Sequence, residues 1–191
     1  MKYQNDNFYI ENVLKGDSSA YANLVNKHKD MVFTIVHRIV RNREDAEEIA
    51  QDVFLKVFQS LNSFKHESKF STWLYRIAYN TAISKTRKKY LETSLIDNEI
   101  IDNFTIDEIT QNINELNKEE QKLYIQSAIN KLPEDENVII TLFYQNENSV
   151  EEISEITGLS KSNVKVKLHR IRKKLYSELQ HLFEIKVSEL V

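Results

Sequence analysis

Apolar residues recur at helical spacing in three segments of the first 90 residues, which predicts three helices that share a core. Asp17 is the expected N-cap of the first helix, and the second begins near Asn42. Helical spacing of apolar residues is interrupted from Asn62 to Lys69, so we interpret this segment as a loop before the third helix. The inward positions of the three stripes are Tyr21, Leu24, Val25, His28, Met31, Val32, Ile35, Val36 and Ile39, then Ala46, Ile49, Ala50, Val53, Phe54, Val57 and Leu61, then Phe70, Trp73, Leu74, Ile77, Ala78 and Thr81.

The last part of the chain is helical again and contains a helix-turn-helix pattern. Ile153 and Ile156 share the inward face of a short helix, Gly158 supplies a tight turn, and Ser160 is the expected cap of a second helix. Pro133, upstream, is tolerated in the first turn of a helix. The predicted inward residues here are Leu123, Ala128, Ile129 and Leu132, then Val138, Ile139, Leu142 and Phe143, then Val164, Leu168, Ile171, Leu175 and Leu179.

Turn-forming residues are scarce, since the chain has two glycines and one proline. Both residue types interrupt helices, so their scarcity favours an all-α fold. We predict two small helical domains, residues 1–90 and residues 117–191, joined by a linker at residues 91–116. The linker is acidic, rich in asparagine and weakly periodic, and either simple disorder or a functional polyanionic peptide would explain it.

Cysteine is absent, which excludes disulfides and thiolate zinc sites and favours a cytoplasmic location. The first ten residues lack the apolar core of a signal peptide, and no uncharged apolar run approaches the roughly 20 residues of a membrane span. We find no Gly-rich phosphate loop, metal-spaced cluster or nucleophile motif, and therefore expect no enzyme, no metal, no cofactor and no small-molecule ligand.

Charge is distributed unevenly, although the formal net charge is only −3. Residues 65–90 contain seven Lys or Arg against Glu67, and residues 160–174 contain seven and no acid. An acidic stretch separates them. Two basic blocks on either side of an acidic one indicate two modules that face polyanions.

The outward face of the second helix of the helix-turn-helix carries side chains suited to a DNA groove. Arg170 can bridge two guanine acceptors, Asn163 can pair with adenine, and Val166 can contact a thymine methyl. The lysines suit phosphates. A solvated basic helix is the alternative interpretation. The predicted DNA contacts on this helix are Lys161, Ser162, Asn163, Lys165, Val166, Lys167, His169, Arg170 and Lys173.

Two segments in this order resemble a known family. The runs DAEEIAQDVFLKVFQSLNSF and FSTWLYRIAYNTAISKTRKK look like region 2 of extracytoplasmic-function (ECF) sigma factors of bacterial RNA polymerase, and residues 129–175 are similar to their region 4. The sequence departs from the pattern where SVEE opens the helix-turn-helix with valine in an aromatic position, and at Val166, where some relatives carry a small polar residue. These departures affect the expected −35 sequence.

The resemblance implies a promoter-reading subunit that binds the clamp and flap of core polymerase. It also implies an anti-sigma partner, a monomer when free and a linker that threads a polymerase channel. The implied clamp contacts, which the apolar stripe leaves outside, are Glu47, Glu48, Gln51, Asp52 and Lys56; a solvated surface is the alternative. The loop Ser60–Ser71 and the third helix would read the melted −10 strand, since aromatic residues beside cations suit single strands. The −10 residues are Phe64, Lys65, Lys69, Ser71, Tyr75, Arg76, Tyr79, Asn80, Ile83 and Arg87, with partial burial against the first helix as the alternative for Tyr75 and Tyr79.

A second functional class uses the same helix-turn-helix. A one-component regulator would bind operators without polymerase, but it would need an effector or dimerisation domain at its N-terminus. Residues 45–89 match polymerase and single-strand contacts instead. A regulator that reads a palindrome should also be a dimer, which distinguishes it from a monomeric sigma factor.

Overall fold

The computed structural model describes residues 5–87 and 117–189, and these ranges contain helices and no strand. The all-α prediction with two small helical bundles is confirmed. The predicted linker, residues 91–116, lies outside the described residues. The helices are α1 (Asp6–Leu14), α2 (Ser18–Val40), α3 (Arg43–Ser60), α4 (Phe70–Arg87), α5 (Lys118–Lys131), α6 (Glu134–Tyr144), α7 (Val150–Thr157) and α8 (Lys161–Glu189), with a 3-10 turn at Leu61–Ser63.

Polar caps fix the starts of the helices where the sequence places them. The Asp17 carboxylate accepts a hydrogen bond from the Ser19 amide at 2.9 Å, and the Asn42 side chain accepts one from Asp45 at 2.9 Å. Such caps satisfy amides that have no partner within the helix. The expected N-cap at Asp17 and helix start near Asn42 are therefore confirmed.

Helix α1 precedes the three predicted helices and was not predicted. Its buried residue is Ile10, and it contacts α2 and the 3-10 turn at Leu61–Ser63. Asp6 anchors it through Lys27 at 2.6 Å and His28 at 3.2 Å. Burial raises the pKa of Asp6, but these two partners outweigh it and leave that pKa below its ordinary value. An ion pair between elements thus stabilises a helix too short for a clear apolar period.

The first bundle packs α2, α3 and α4 around the predicted core. Most of the predicted inward positions are buried, and Trp73 packs against them. In the second bundle the expectation for Leu123 is wrong, because 69% of its surface is exposed. The other predicted positions of this stripe, Ala128, Ile129 and Leu132, are buried, so its first turn alone faces outward.

The two bundles pack against each other, with α4 on α7 and α2 on α6, and one apolar core runs through both. Charge patterning predicted separate modules and gave no sign of this contact. Arg41 Nη2 donates to the Leu132 carbonyl at 2.5 Å, and Arg38 donates to Asn130 at 2.7 Å. Arg41 also pairs with Glu134 at 3.2 Å. The second bundle is therefore placed directly over α2 and α4.

No helix in the described ranges is long and apolar enough to cross a membrane. Within the same residues no three His, Asp or Glu side chains are grouped as metal ligands would be.

Candidate nucleic-acid and polymerase interfaces

The helix-turn-helix is built by α7, a tight turn and α8. Gly158 ends α7 with φ of 75°, a left-handed conformation that favours glycine. The Ser154 hydroxyl donates to the Leu159 carbonyl at 2.6 Å, which fixes the angle of the turn. Ser160 accepts from the Asn163 amide at 3.2 Å, so the predicted cap of α8 is confirmed. This geometry presents the N-terminal half of α8.

The outward face of α8 carries the residues that the sequence predicts there. The side chains are exposed except for Lys167, which is half-buried, and Val166 keeps 48% of its surface exposed. Lys167 pairs with Asp135 of α6 at 2.6 Å, and Lys161 pairs with Glu151 of α7 at 3.2 Å. Most of this face can therefore enter a groove without rearrangement, whereas Lys161 and Lys167 must each first leave a carboxylate.

Helix α3 presents a polar face on the opposite side of its buried stripe. Glu47, Glu48, Gln51 and Lys56 are exposed, and Asp52 is half-buried. Lys85 of α4 reaches across to Asp52 at 3.2 Å and Glu48 at 3.3 Å, and these hydrogen bonds raise the pKa of Lys85. Lys56 donates to Thr81 at 3.3 Å. Lys85 thus orients part of this acidic face, and the Lys56–Thr81 hydrogen bond joins α3 to α4.

Two apolar side chains on α3 belong to this surface and were missed. Leu55 is 56% exposed and Phe58 is 47% exposed. Phe58 leans edge-on against Tyr21, with 5.0 Å between ring centroids. Both positions lie outside the apolar stripe of α3, so the sequence pattern could have predicted that they are exposed. Exposed apolar groups beside polar ones are typical of protein interfaces.

The loop before α4 contains one correction to the predicted −10 residues. Phe64 is only 8% exposed, and its ring packs on Phe70 and Trp73 with centroids 5.7 and 5.4 Å away. Phe64 therefore belongs to an aromatic cluster in the core, and this cluster anchors the loop. Lys65 and Lys69 are exposed, and Ser71 is half-buried.

Some of the predicted −10 residues on α4 are exposed, and others are half-buried. Arg76 and Asn80 are exposed, whereas Tyr79 and Ile83 are half-buried. The side chain of Arg87 lies outside the described residues.

The predicted outward position of Tyr75 is wrong in this arrangement, since Tyr75 is 4% exposed. Burial raises its pKa to about 12, which a hydrogen bond with Asn146 of the second bundle opposes. Tyr79 also lies near that bundle: burial raises its pKa, and the charge of Asp135 adds to the rise. Two neighbours are the physical reason: the Tyr75 ring packs edge-on against His28 of α2, with 6.2 Å between ring centroids, and the second bundle covers it. Periodicity within α4 carries no sign of that second bundle.

A helix-turn-helix with an exposed polar face, packed on a second helical bundle with its own charged helix face, defines a two-module DNA-binding protein. Residues 24–91 match the family Sigma-70 region 2, and residues 122–175 match Sigma-70, region 4. The order and location of both matches agree with the motifs described above.

Whole-chain relatives give the particular group. The ECF RNA polymerase sigma factor SigW of Bacillus subtilis (strain 168) is 34% identical over 185 residues, which cover 91% of this chain and 96% of the relative. The ECF RNA polymerase sigma-E factor of Escherichia coli (strain K12) is 33% identical over 188 residues, covering 93% and 95%. The chain belongs to the ECF group of bacterial RNA polymerase sigma factors, as the sequence motifs predicted.

Solved structures show the same fold at lower identity. CnrH, in complex with the cytosolic domain of CnrY, superposes with a TM-score of 0.65 at 20% identity over 92% of this chain and 97% of that one. The sigma factor RpoE, in complex with the anti-sigma factor NepR from Bartonella quintana, gives 0.59 at 19% identity over 84% and 96%.

Proposed function

We propose that this sigma factor reads promoter DNA in two states, the −35 element as duplex through α8 and the −10 element as a melted strand through α4 and its preceding loop. The exposed face of α8 carries the proposal. There Arg170, Asn163 and Val166 lie outward on a capped helix whose opposite side is buried. Guanidinium, amide and methyl groups in this register suit major-groove edges, and the surrounding lysines suit phosphates.

The −10 half of the proposal rests on exposed groups at the start and middle of α4. Asn80 can donate to and accept from a base edge. Arg76 lies one turn earlier, and Lys65 and Lys69 are exposed in the loop. A base becomes accessible to such groups only after it leaves the stack, which costs a few kcal/mol. Melting by the whole holoenzyme supplies this access.

Core polymerase is the proposed partner of the α3 face. Its exposed acids and Gln51 surround Leu55 and Phe58, so polar and apolar contacts are available together. The chain would act in the cytoplasm, without catalysis of its own, as a monomer when free. The sigma factors of similar fold are described in complexes with CnrY and with the anti-sigma factor NepR, and an anti-sigma partner is proposed for this chain by analogy.

Run-off transcription with core polymerase tests the proposal, with transcript starts mapped by sequencing. We expect starts a fixed distance downstream of paired −35 and −10 elements, and none from core alone. Free protein should bind the same promoters poorly at physiological salt. Tight sequence-specific binding without polymerase, together with no core-dependent transcription, would establish an operator-binding regulator instead.

A further inference from the structure

We infer that helix α1 is the support of the −10 loop (Ser60–Ser71), and that Asp6 and His28 are the positioning residues through which this helix acts on the −10 site. His28 is buried, and Asp6 carries the same sign of charge as DNA, so both would act through the loop and the first turn of α4 without touching the strand. The inference rests on the proposed function, because it concerns how the proposed −10 residues are held in place.

Helix α1 lies against the −10 loop near both ends of that loop. It contacts the 3-10 turn Leu61–Ser63, where the loop begins. Where the loop ends, residues 5–7 at the start of α1 share the lining of a cleft of about 450 Å³ with loop residues that include His66 and Ser68. Lys69 lines the same cleft, so one of the proposed −10 residues is carried on the segment that α1 supports. A displacement of α1 would therefore be passed to the loop at two points.

The backbone of the loop needs support from its surroundings. His66 has φ of 57°, a left-handed conformation that costs free energy for a residue other than glycine. Its ring tilts on Phe64, with 4.6 Å between centroids, and Phe64 packs on Phe70 and Trp73. Such a conformation persists only where neighbouring structure fixes it. The loop therefore depends on the aromatic cluster on one side and on α1 across the cleft.

One buried ring connects α1 to the start of α4. Asp6 Oδ1 lies 3.2 Å from His28 Nε2, and the same oxygen accepts from Lys27 at 2.6 Å. The His28 ring is 6% exposed and packs edge-on against Phe70 and Tyr75, with centroids 5.5 and 6.2 Å away. A ring that is held by a hydrogen bond at one edge has few orientations available. Asp6 therefore fixes the orientation of the ring on which the first two turns of α4 rest.

Lys27 and His28 bind the same carboxylate in different surroundings. The side chain of Lys27 is partly exposed, whereas His28 is buried against the start of α4. Burial raises the pKa of Tyr75, and the negative charge of Asp6 adds to that rise, so the carboxylate is close enough to α4 to act on it electrostatically. Loss of Lys27 should therefore weaken the anchor of α1, whereas loss of His28 should break the connection from α1 to α4.

Binding of a promoter fork to the holoenzyme measures −10 capture, when the fork has a duplex −35 element and a single-stranded −10 element. If the unsupported loop is competent in roughly a tenth of the molecules, Asp6→Ala should lower the apparent affinity for the fork about tenfold. The preference for the native −10 base over a substituted one should fall too, because a displaced loop misaligns its polar groups. Affinity for core polymerase and for the −35 duplex alone should stay at the wild-type value. Glu11→Gln is the matched control, because Glu11 is an exposed acid on the same helix.

Fluorescence of Trp73, the single tryptophan of the chain, is the second measurement. Its ring centroid lies 5.4 Å from that of Phe64 and 5.9 Å from that of Phe70, so its emission reports on the cluster that anchors the loop. In the free chain, Asp6→Ala and His28→Gln should each increase quenching by acrylamide. The double variant should add little to either, because both substitutions break one connection. Circular dichroism confirms that each variant stays folded, and the Asp6→Ala result does not depend on the His28 variant.

The outcomes separate this inference from the proposed function. If Asp6→Ala holoenzyme binds the fork as well as wild type does, with the same base preference, the positioning role is refuted and the proposed function stands. If wild-type holoenzyme gains no affinity from the single-stranded −10 element, the proposed −10 function itself is overturned. A loss in Lys27→Ala as large as in Asp6→Ala, or a loss without a change at Trp73, refutes the route through His28. Weaker fork binding together with increased quenching of Trp73, in the Asp6 and His28 variants and less so in Lys27→Ala, supports the inference.

Discussion

Lys69, in the loop before α4, is paired with Glu152 of α7, with 2.8 Å between Nζ and Oε1. The same Glu152 carboxylate accepts from the Ser149 amide at 2.8 Å and so completes the capping box of α7. One side chain therefore stabilises the first helix of the helix-turn-helix and also joins it to the other bundle.

Glu152→Gln should separate these two roles, because glutamine also serves at this position of a capping box. Burial opposes the shift, but Lys69 and the Ser149 amide leave the pKa of Glu152 below its ordinary value of 4.5. A lowered folded pKa means that the contribution to stability is present above the unfolded value and is lost as pH falls through the folded one. The variant should therefore be slightly less stable than wild type at neutral pH, and the difference should vanish in acid.

Denaturant unfolding over a pH series measures this difference. Glu155→Gln is the control, since Glu155 is exposed on the same helix. If the difference in free energy of unfolding between wild type and Glu152→Gln persists unchanged into strong acid, the charge of Glu152 does not contribute to stability.

Substitutions on the polar face of α3 should weaken polymerase binding without disturbing the fold. Replacing both Gln51 and Asp52 with alanine leaves the buried Ile49 and Val53 in place, so the free energy of unfolding should change by about 0.5 kcal/mol or less. Affinity for core polymerase should drop, as measured by titration of labelled chain. Asn26→Ala, an exposed amide on α2, is the control. Unchanged core affinity in the double variant would place the docking surface elsewhere.

Base reading and phosphate contact should be distinguishable on α8. Arg170→Ala should cost roughly 1–3 kcal/mol and relax the preference at one −35 position. Lys167→Ala should weaken all sequences alike and reduce the salt dependence by about one unit. Holoenzyme binding to a panel of single-base promoter variants, over several salt concentrations, measures both. Equal and sequence-independent losses would mean that Arg170 contacts only phosphate.

The pair of Lys167 with Asp135 adds a further expectation. Since the two atoms are 2.6 Å apart, DNA must compete with Asp135 for this lysine. Asp135→Asn should therefore tighten −35 binding, and only when Lys167 is present. Binding by the single variants and the double variant forms a cycle that tests this dependence. Tightening that survives removal of Lys167 would point to a general charge effect.

Asn80→Ala should impair promoter opening more than initial binding. The exposed amide is proposed to capture an unpaired −10 base, whereas the −35 and polymerase contacts are elsewhere. Closed-complex affinity should stay near wild type, open-complex formation should fall, and a pre-melted bubble should restore part of it. Permanganate reactivity of unpaired thymines measures opening. If thymines in the Asn80→Ala complex become reactive at the wild-type rate, Asn80 has no role in promoter opening.

Local chemistry made much of the fold predictable. The caps at Asp17 and Ser160 and the glycine turn at Gly158 act within a few residues, and their geometry agrees with the sequence. The exposed face of α8 follows from the same local rules, since its buried stripe is regular. The family motifs predicted two bundles in the correct order.

Contacts between bundles could not be predicted in this way. Tyr75 packs on His28 of α2 and is also covered by a bundle distant in sequence, and periodicity along α4 contains no information about that bundle. Helix α1 depends on a pairing between Asp6 and Lys27, 21 residues away. Phe64 is buried by an aromatic cluster that forms only when the loop folds back on α4.

The side of α4 that packs on α7 has an evolutionary consequence. A substitution at Tyr75 or Lys69 would alter the fit to the other bundle and, under the proposed −10 role, the fit to DNA as well, so these two properties could not diverge independently there. Arg38 and Arg41 are under no such double constraint, because their partners lie on α5 and α6 and on the turn between them. Sequence change at the end of α2 can thus alter how the two bundles pack while the side chains proposed to contact DNA remain the same.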